Sequence, residues 1–173
     1  MTELRRQDVP LAQAAEEITY RLQHGGIFLT TCTKDGKPNT MTIGWGGVGC
    51  FFNKPMVFVP VRTSRYTFHL LNESGEFTLS VPLHDMKTQL AFAGTMSGRD
   101  VDKFIDHGLT ATQSLGVAAP IIQECELHLE CRVVASPALT PDVVVKPMVD
   151  RWYPDSDMHT LFFGEIIHCY YTK

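Results

Sequence analysis

The sequence predicts a closed antiparallel β-barrel with peripheral helices, a mainly β fold. Short β-rich runs succeed one another from Ile27 onward, and turn and proline signals separate them. No long crossover helices alternate with those runs, which argues against a parallel sheet. A chain of 173 residues is the natural size of one domain, read as 1–173 with residues 1–26 forming an N-terminal helical extension.

Each element follows from local pattern. Leu11, Ala14, Ala15, Ile18 and Leu22 recur at helical spacing behind Pro10, and Gly25-Gly26 ends the run, so an amphipathic helix is expected. Runs 27–33 and 38–45 flank Lys34-Asp35-Gly36-Lys37, a hairpin signal. Residues 56–62 form a further strand, placed at an edge or bulge by Pro60. A short helix over 64–72 closes near Gly75. In 76–81, Phe77, Leu79 and Val81 alternate onto one face. Two short helices are expected over 85–93 and 99–107. Leu127, Leu129, Cys131 and Val133 alternate with polar residues as a half-buried strand, and 161–171 is the last. Residues 135–157 carry four prolines and read as a long excursion.

Composition narrows the function. Hydrophobic content of 44% and charged content of 20% suit a soluble globular protein. A net charge of −4 argues against a nucleic-acid or membrane partner, so any anionic ligand needs a local basic site. Five cysteines without a C-x-x-C pair fit neither a disulfide framework nor a zinc ribbon, and reduced thiols point to the cytoplasm. The N-terminus lacks an apolar signal core, and no run of about 18 apolar residues occurs. Seven histidines include no ligand-spaced pair, so no metal site is expected.

Gly44-x-Gly46-x-x-Gly49 spells a dinucleotide-binding fingerprint without its context. The flank Cys50-Phe51-Phe52-Asn53-Lys54-Pro55 cannot start a helix, and no Asp or Glu occurs between Gly49 and Glu73. These glycines still allow a flat ligand to approach the backbone closely.

Three polar clusters remain. Arg62-Thr63-Ser64-Arg65-Tyr66-Thr67 combines two guanidinium groups, hydroxyls and an expected helix N-terminus, the mixture a phosphate requires. Read alone, it is equally a helix cap at Thr63 or Ser64 beside two solvated arginines. Thr95-Met96-Ser97-Gly98-Arg99-Asp100-Val101-Asp102-Lys103-Phe104 reads as a capped helix with a charged outer face, Lys103 pairing with Asp100 or Asp106. Asn39-Thr40-Met41-Thr42-Ile43-Gly44-Trp45 reads as a strand with one solvated face and a core tryptophan.

In order, N-x-M-T-x-x-W, R-x-S-R-Y-T, F-T-L-S-V-P, S-G-R-D-x-D-K-F, L-E-C and H-x-x-x-x-G-E-I resemble the flavin reductase-like proteins, flavoredoxin-type members included. The resemblance runs from about Ile27 to Tyr171. It implies a six-stranded antiparallel FMN-binding split barrel that forms a homodimer, with the flavin at the barrel edge near the subunit boundary. It further implies that Asn39, Thr40, Met41, Thr42 and Trp45 lie along the isoalloxazine ring, and that Ser64, Arg65 and Thr67 hold the phosphate. Ser97, Lys103 and His159 are expected near the flavin, with Lys103 toward the N1/O2 side of the ring. The chemistry implied is hydride transfer from NADH or NADPH to bound flavin, which asks the protein for orientation and electrostatics and no acid–base pair. A flavin-carrying electron-transfer protein is the alternative. Free flavin or a redox partner protein would be the acceptor.

Overall fold

The computed structural model describes residues 4–173. Strand β1 (Arg6–Asp8) is followed by helix α1 (Leu11–Gln23), which buries Ala14, Ile18 and Leu22, a stripe spaced by four residues. Next come β2 (Ile27–Cys32), β3 (Pro38–Ile43), β4 (Gly47–Phe51), β5 (Lys54–Arg62), helix α2 (Tyr66–Ser74) and β6 (Glu76–Val81). Two more helices, α3 (Lys87–Thr95) and α4 (Lys103–Asp106), lead to the short pair β7 (Ala111–Thr112) and β8 (Ile121–Ile122). The chain ends with β9 (Leu127–Ala135), helix α5 (Lys146–Trp152) and β10 (His159–Thr172).

The main sheet runs β3-β2-β6-β9-β10-β5-β4, antiparallel throughout, with β1 added on β10. Its two end strands, β3 and β4, are consecutive in the chain and joined by residues 44–46 only. The sheet therefore curls until its ends are neighbours, with a seam in place of a last ladder. β10 makes the curl possible. It pairs with β5 over its first half, with β9 over its second and with β1 at its end, and its register shifts at Phe163/Gly164 and Ile166/His168. Such irregularities bend a strand and increase its twist.

The barrel interior holds Ile27, Leu29, Ile43, Val57, Val59, Val61, Phe77, Leu79, Leu129 and Phe162. A second core, built on Phe28, Met86, Leu90, Ala93 and Phe104, lies under α3 and α4. β2 serves both cores, so all six of its residues are buried, Thr30 and Thr31 with their hydroxyls hydrogen-bonded.

All six strands expected from the sequence are present, but the sheet has eight. β1 and β4 are the additions. β4 escaped because its hairpin with β5 turns at Phe52 and Asn53, with φ of 52° and 55°. Two-residue turns with positive φ usually announce themselves by Asn-Gly or Asp-Gly, and this one has no glycine. The same turn leaves both Phe51 and Phe52 outside, whereas Phe162 and Phe163 divide inward and outward as strand neighbours should. The helix expected over 99–107 shrinks to α4, because Asp102 caps it by accepting from the Phe104 and Ile105 amides. No helix among the described residues is long and apolar enough to cross a membrane.

Gly164 sits at the first bend of β10, where a Cβ would lie 2.6 Å from the Phe77 ring and 3.0 Å from Cys131. Phe77 is fully buried and cannot swing aside. Gly164→Ala is expected to destabilise the fold by about 1–3 kcal/mol, the usual cost of overpacking. Urea unfolding would show a lower midpoint at unchanged slope, and Phe77→Leu in the same chain should restore part of the loss.

Candidate functional site

Two adjoining cavities open along β3 where it approaches the start of α2. The first, about 220 Å³, is lined by Met41 to Trp45, Pro60, Arg62, Arg65, Trp152 and His159. The second, about 150 Å³, is lined by Asn39, Met41, Ser64 to Thr67, Ala93, Met96 to Arg99 and Lys103. Met41 and Arg65 belong to both, so the cavities are two ends of one trough. One end is aromatic, the other basic.

At the aromatic end, Trp45 stands edge-on to Trp152 with ring centroids 5.1 Å apart, and the His159 ring is also 5.1 Å from Trp45. His159 shares a 2.8 Å hydrogen bond with the Tyr153 hydroxyl through Nδ1. Burial, reinforced by the Arg62 charge, pulls the imidazole down to about 4. It is therefore neutral at physiological pH and serves as a hydrogen-bonding wall.

At the basic end, three cations converge. Lys103 is 5% exposed, and its Nζ donates one bond, 2.7 Å, to the Ala93 carbonyl. Desolvation, then the neighbouring Arg65 charge, lowers it to about 8. Arg65 donates to the Gly94 carbonyl, and Arg99 donates to the Ser64 carbonyl while lying over the Tyr66 ring. Among the described residues none of the three has a carboxylate partner. α2 begins at Arg65 with no side chain capping its first turn, so its leading amides add to the positive potential. Asn39 donates to Thr67 Oγ1, joining β3 to α2 beneath the cavity. Gly98 abuts the Asn39 amide so closely that no larger residue could stand there.

Residues 19–173 match the flavin reductase like domain. The chain is a member of that family. It is 36% identical over 132 residues to an uncharacterised protein of Archaeoglobus fulgidus, covering 76% of this chain and 64% of that one. It therefore spans less than two thirds of that relative. Among solved structures, flavoredoxin of Desulfovibrio vulgaris (Miyazaki F) superposes with a TM-score of 0.67 at 28% identity, covering 83% of this chain and 67% of the other. Flavoredoxin from Methanosarcina acetivorans gives 0.65 at 30% identity, covering 84% and 67%.

With the family established, the expected site residues sort by location. Asn39, Met41, Ser64, Arg65, Thr67, Ser97 and Lys103 gather at the basic cavity, and Met41, Thr42, Arg65, Trp45 and His159 at the aromatic one. Lys103 lies with the residues expected to hold phosphate, away from Trp45 and His159, and it is buried where the sequence alone allowed an exposed helix lysine. Thr40 lines neither cavity. It is fully buried on the opposite face of β3, and its hydroxyl is used by Thr30 and the Leu29 carbonyl. Thr42 differs from Thr40 in bordering the aromatic cavity, but its hydroxyl is committed as well, donating to the Leu90 carbonyl at 2.6 Å. Ser64 is no helix cap: its hydroxyl donates to Asp157 Oδ2 at 2.7 Å. Trp152 and Asp157 escaped the sequence reading because they lie in the 135–157 excursion, where no periodicity assigns a side chain. Arg99 had a signal, the S-G-R-D run, but read as a solvated charge.

Lys103 should titrate near 8, followed by the NMR shift of its side-chain carbon or nitrogen. Its folded value lies below the ordinary 10.5, so the unfolded chain holds more protons between the two. Stability contributed at this position therefore rises with pH through that window. Relative to Lys103→Met, the wild type should gain stability between pH 8 and 10.5, read from denaturation midpoints at each pH.

Proposed function

We propose that the trough binds FMN, with the phosphate at the basic end and the isoalloxazine ring at the aromatic end, and that the protein is an NAD(P)H-dependent flavin reductase. The observation that carries this reading is the convergence of Arg65, Arg99 and Lys103 on an uncapped helix start, with no carboxylate to neutralise them among the described residues. A group of such cations costs free energy unless an anion joins it. Three N–H groups on Lys103, of which the protein uses one, together with the α2 amides and the Arg65 fork, match a phosphate monoester.

When bound, the flavin supplies the hydride-accepting chemistry. The chain's own residues bind, orient and exclude water. Met41 and the glycine-containing segment after Ile43 give a flat floor, on which Gly44 lets a planar ligand lie against the backbone. Trp45, Trp152 and neutral His159 wall the ring end, and Arg65 spans both ends and can hold the molecule in register. NADH or NADPH as donor, and free flavin or a redox protein as acceptor, complete the reading. The purified protein should be yellow, and heat should release FMN. Anaerobic NADH or NADPH should then bleach the visible absorption expected of a flavin. FAD alone, or no flavin after reconstitution, would refute the assignment, and a bound flavin that neither nucleotide reduces would favour the electron carrier.

Arg65→Ala should weaken FMN binding by about 30- to 150-fold, the loss of about 2–3 kcal/mol typical of hydrogen bonds to a charged group. Titration of the apo protein measures it, and unfolding midpoints should barely move because the side chain is exposed.

We also propose that two copies associate through the outer face of β4, β5 and β10. Phe51 and Phe58, 51% and 38% exposed, line an apolar groove of about 210 Å³ with Phe163, Val48 and Cys50, and Phe52, 64% exposed, packs its ring 4.3 Å from that of Phe51. Contiguous apolar surface of this kind marks an interface. Light scattering should give twice the chain mass, and Phe51→Ser with Phe163→Ser should shift it toward the monomer.

A further inference from the structure

Residues 136–158 form a strap that leaves the sheet after β9 and returns at β10. Its outgoing end is tied to the sheet by backbone bonds from Leu139 to His159 and from Leu161 to Pro137. Its middle is not held by a core. α5 has no buried residue, and Val143, Val145 and Met148 are 65%, 70% and 49% exposed. Yet this strap carries Trp152 to the aromatic cavity and sets Tyr153 against His159. Something at its returning end must fix it.

That end is buckled into the turn between β5 and α2. Asp157 Oδ1 accepts from Thr63 Oγ1 at 3.1 Å and from the Ser64 amide at 3.2 Å, and Oδ2 accepts from Ser64 Oγ at 2.7 Å. Arg62 closes the buckle from the other side, donating to the Asp157 carbonyl at 2.7 Å and the Trp152 carbonyl at 2.8 Å. Ser156, the residue before Asp157, adopts a φ of 57°, which few non-glycine residues tolerate. Partial burial works against the Asp157 charge, but hydrogen bonds from Ser64 and Thr63 and the Arg62 cation outweigh it and hold the carboxyl below the usual range. Two apolar residues are buried at this end: Tyr153, 7% exposed with the Arg62 guanidinium 5.1 Å over its ring, and Met158, 9% exposed, whose carbonyl accepts from the Thr63 amide.

We infer that Asp157 is a positioning residue for the ring end of the trough: its carboxylate in the Thr63-Ser64 turn holds the strap so that Trp152 stands against Trp45. The carboxylate contacts neither Trp45 nor Trp152; the cavity residue it approaches is Arg62, at 3.9 Å, and it acts on the ring end through the strap that carries Trp152 and Tyr153. It also occupies the Ser64 hydroxyl, so Ser64 serves the strap, and the phosphate is left to Arg65, Arg99, Lys103 and the α2 amides. The inference rests on the proposed flavin site for its ligand readout but not for its structural one.

The test compares wild type, Asp157→Ala and Asp157→Asn. Asparagine keeps one acceptor oxygen and the shape, so it should rescue in part. Hydrogen–deuterium exchange of the apo protein should accelerate about tenfold or more over residues 146–157 in Asp157→Ala, less in Asp157→Asn, and not at all in β2. Riboflavin and FMN, which share the ring and differ in the phosphate, should both lose affinity by the same factor, about tenfold, in Asp157→Ala. Unchanged strap exchange overturns the inference. So does accelerated exchange with both affinities intact, and so does a loss confined to FMN, which would assign the turn to the phosphate. A wild-type protein that binds no flavin refutes the proposed function, while the exchange data still decide whether Asp157 holds the strap.

Discussion

Three cations share one small cavity with no carboxylate partner among the described residues, and the arrangement of the site turns on that uncompensated charge. Lys103 is 5% exposed, and its lowered pKa reports the cost directly: desolvation and the Arg65 charge both oppose its ammonium. Such a cluster persists only if the surrounding scaffold is stable enough to impose it. The scaffold here is the second core under α3 and α4, where Phe104 is buried next in sequence to Lys103 and α3 supplies the Ala93 carbonyl. Packing of an ordinary apolar kind thus fixes a group that would otherwise turn to solvent.

Electrostatics are divided along the trough. Among the described residues no anionic side chain pairs with the cations of the basic end, whereas Arg62, only three residues before Arg65, is bound to the strap through two carbonyls and lies 3.9 Å from Asp157. Two arginines in one six-residue run thereby take unlike roles, one structural and one available. The division follows from chain direction. Arg62 ends β5 and pairs with His159 across the ladder, which points it toward the returning strap, while Arg65 begins α2 and faces β3. The barrel seam between β3 and β4 brings these two environments together.

The strands were largely legible. Alternation in 76–81 and 127–133 located two strands, and Asp35-Gly36 announces the β2–β3 hairpin. The half-buried reading of 127–133 fails over 127–131, because His128 and Glu130 on the polar face are as buried as Leu127 and Leu129, their polar atoms taken up by hydrogen bonds to Ser80, Tyr170 and backbone groups. What escaped has physical causes. β4 pairs through a turn at Phe52 and Asn53 that carries no glycine, and β1 is three residues long and exists only because β10 offers an edge. The start of α2 shifted by two residues because the hydroxyls that would have capped it are bonded to a carboxylate more than ninety positions away.

The candidate site divides in the same manner. Sequence alone determined which residue types were gathered, because phosphate chemistry demands cations, hydroxyls and free amides, and R-x-S-R-Y-T with S-G-R-D-x-D-K-F supplies them. Tertiary structure decided which of these residues face a ligand. Thr40 and Met41 are neighbours in the chain, but a pleated strand sends one into the sheet's own hydrogen bonds and the other into the trough. Lys103 reads as a surface charge until α3 packs over it. Trp152 and Asp157 carry no periodic signal at all, because an irregular strap acquires its register only from the distant turn into which it is fastened.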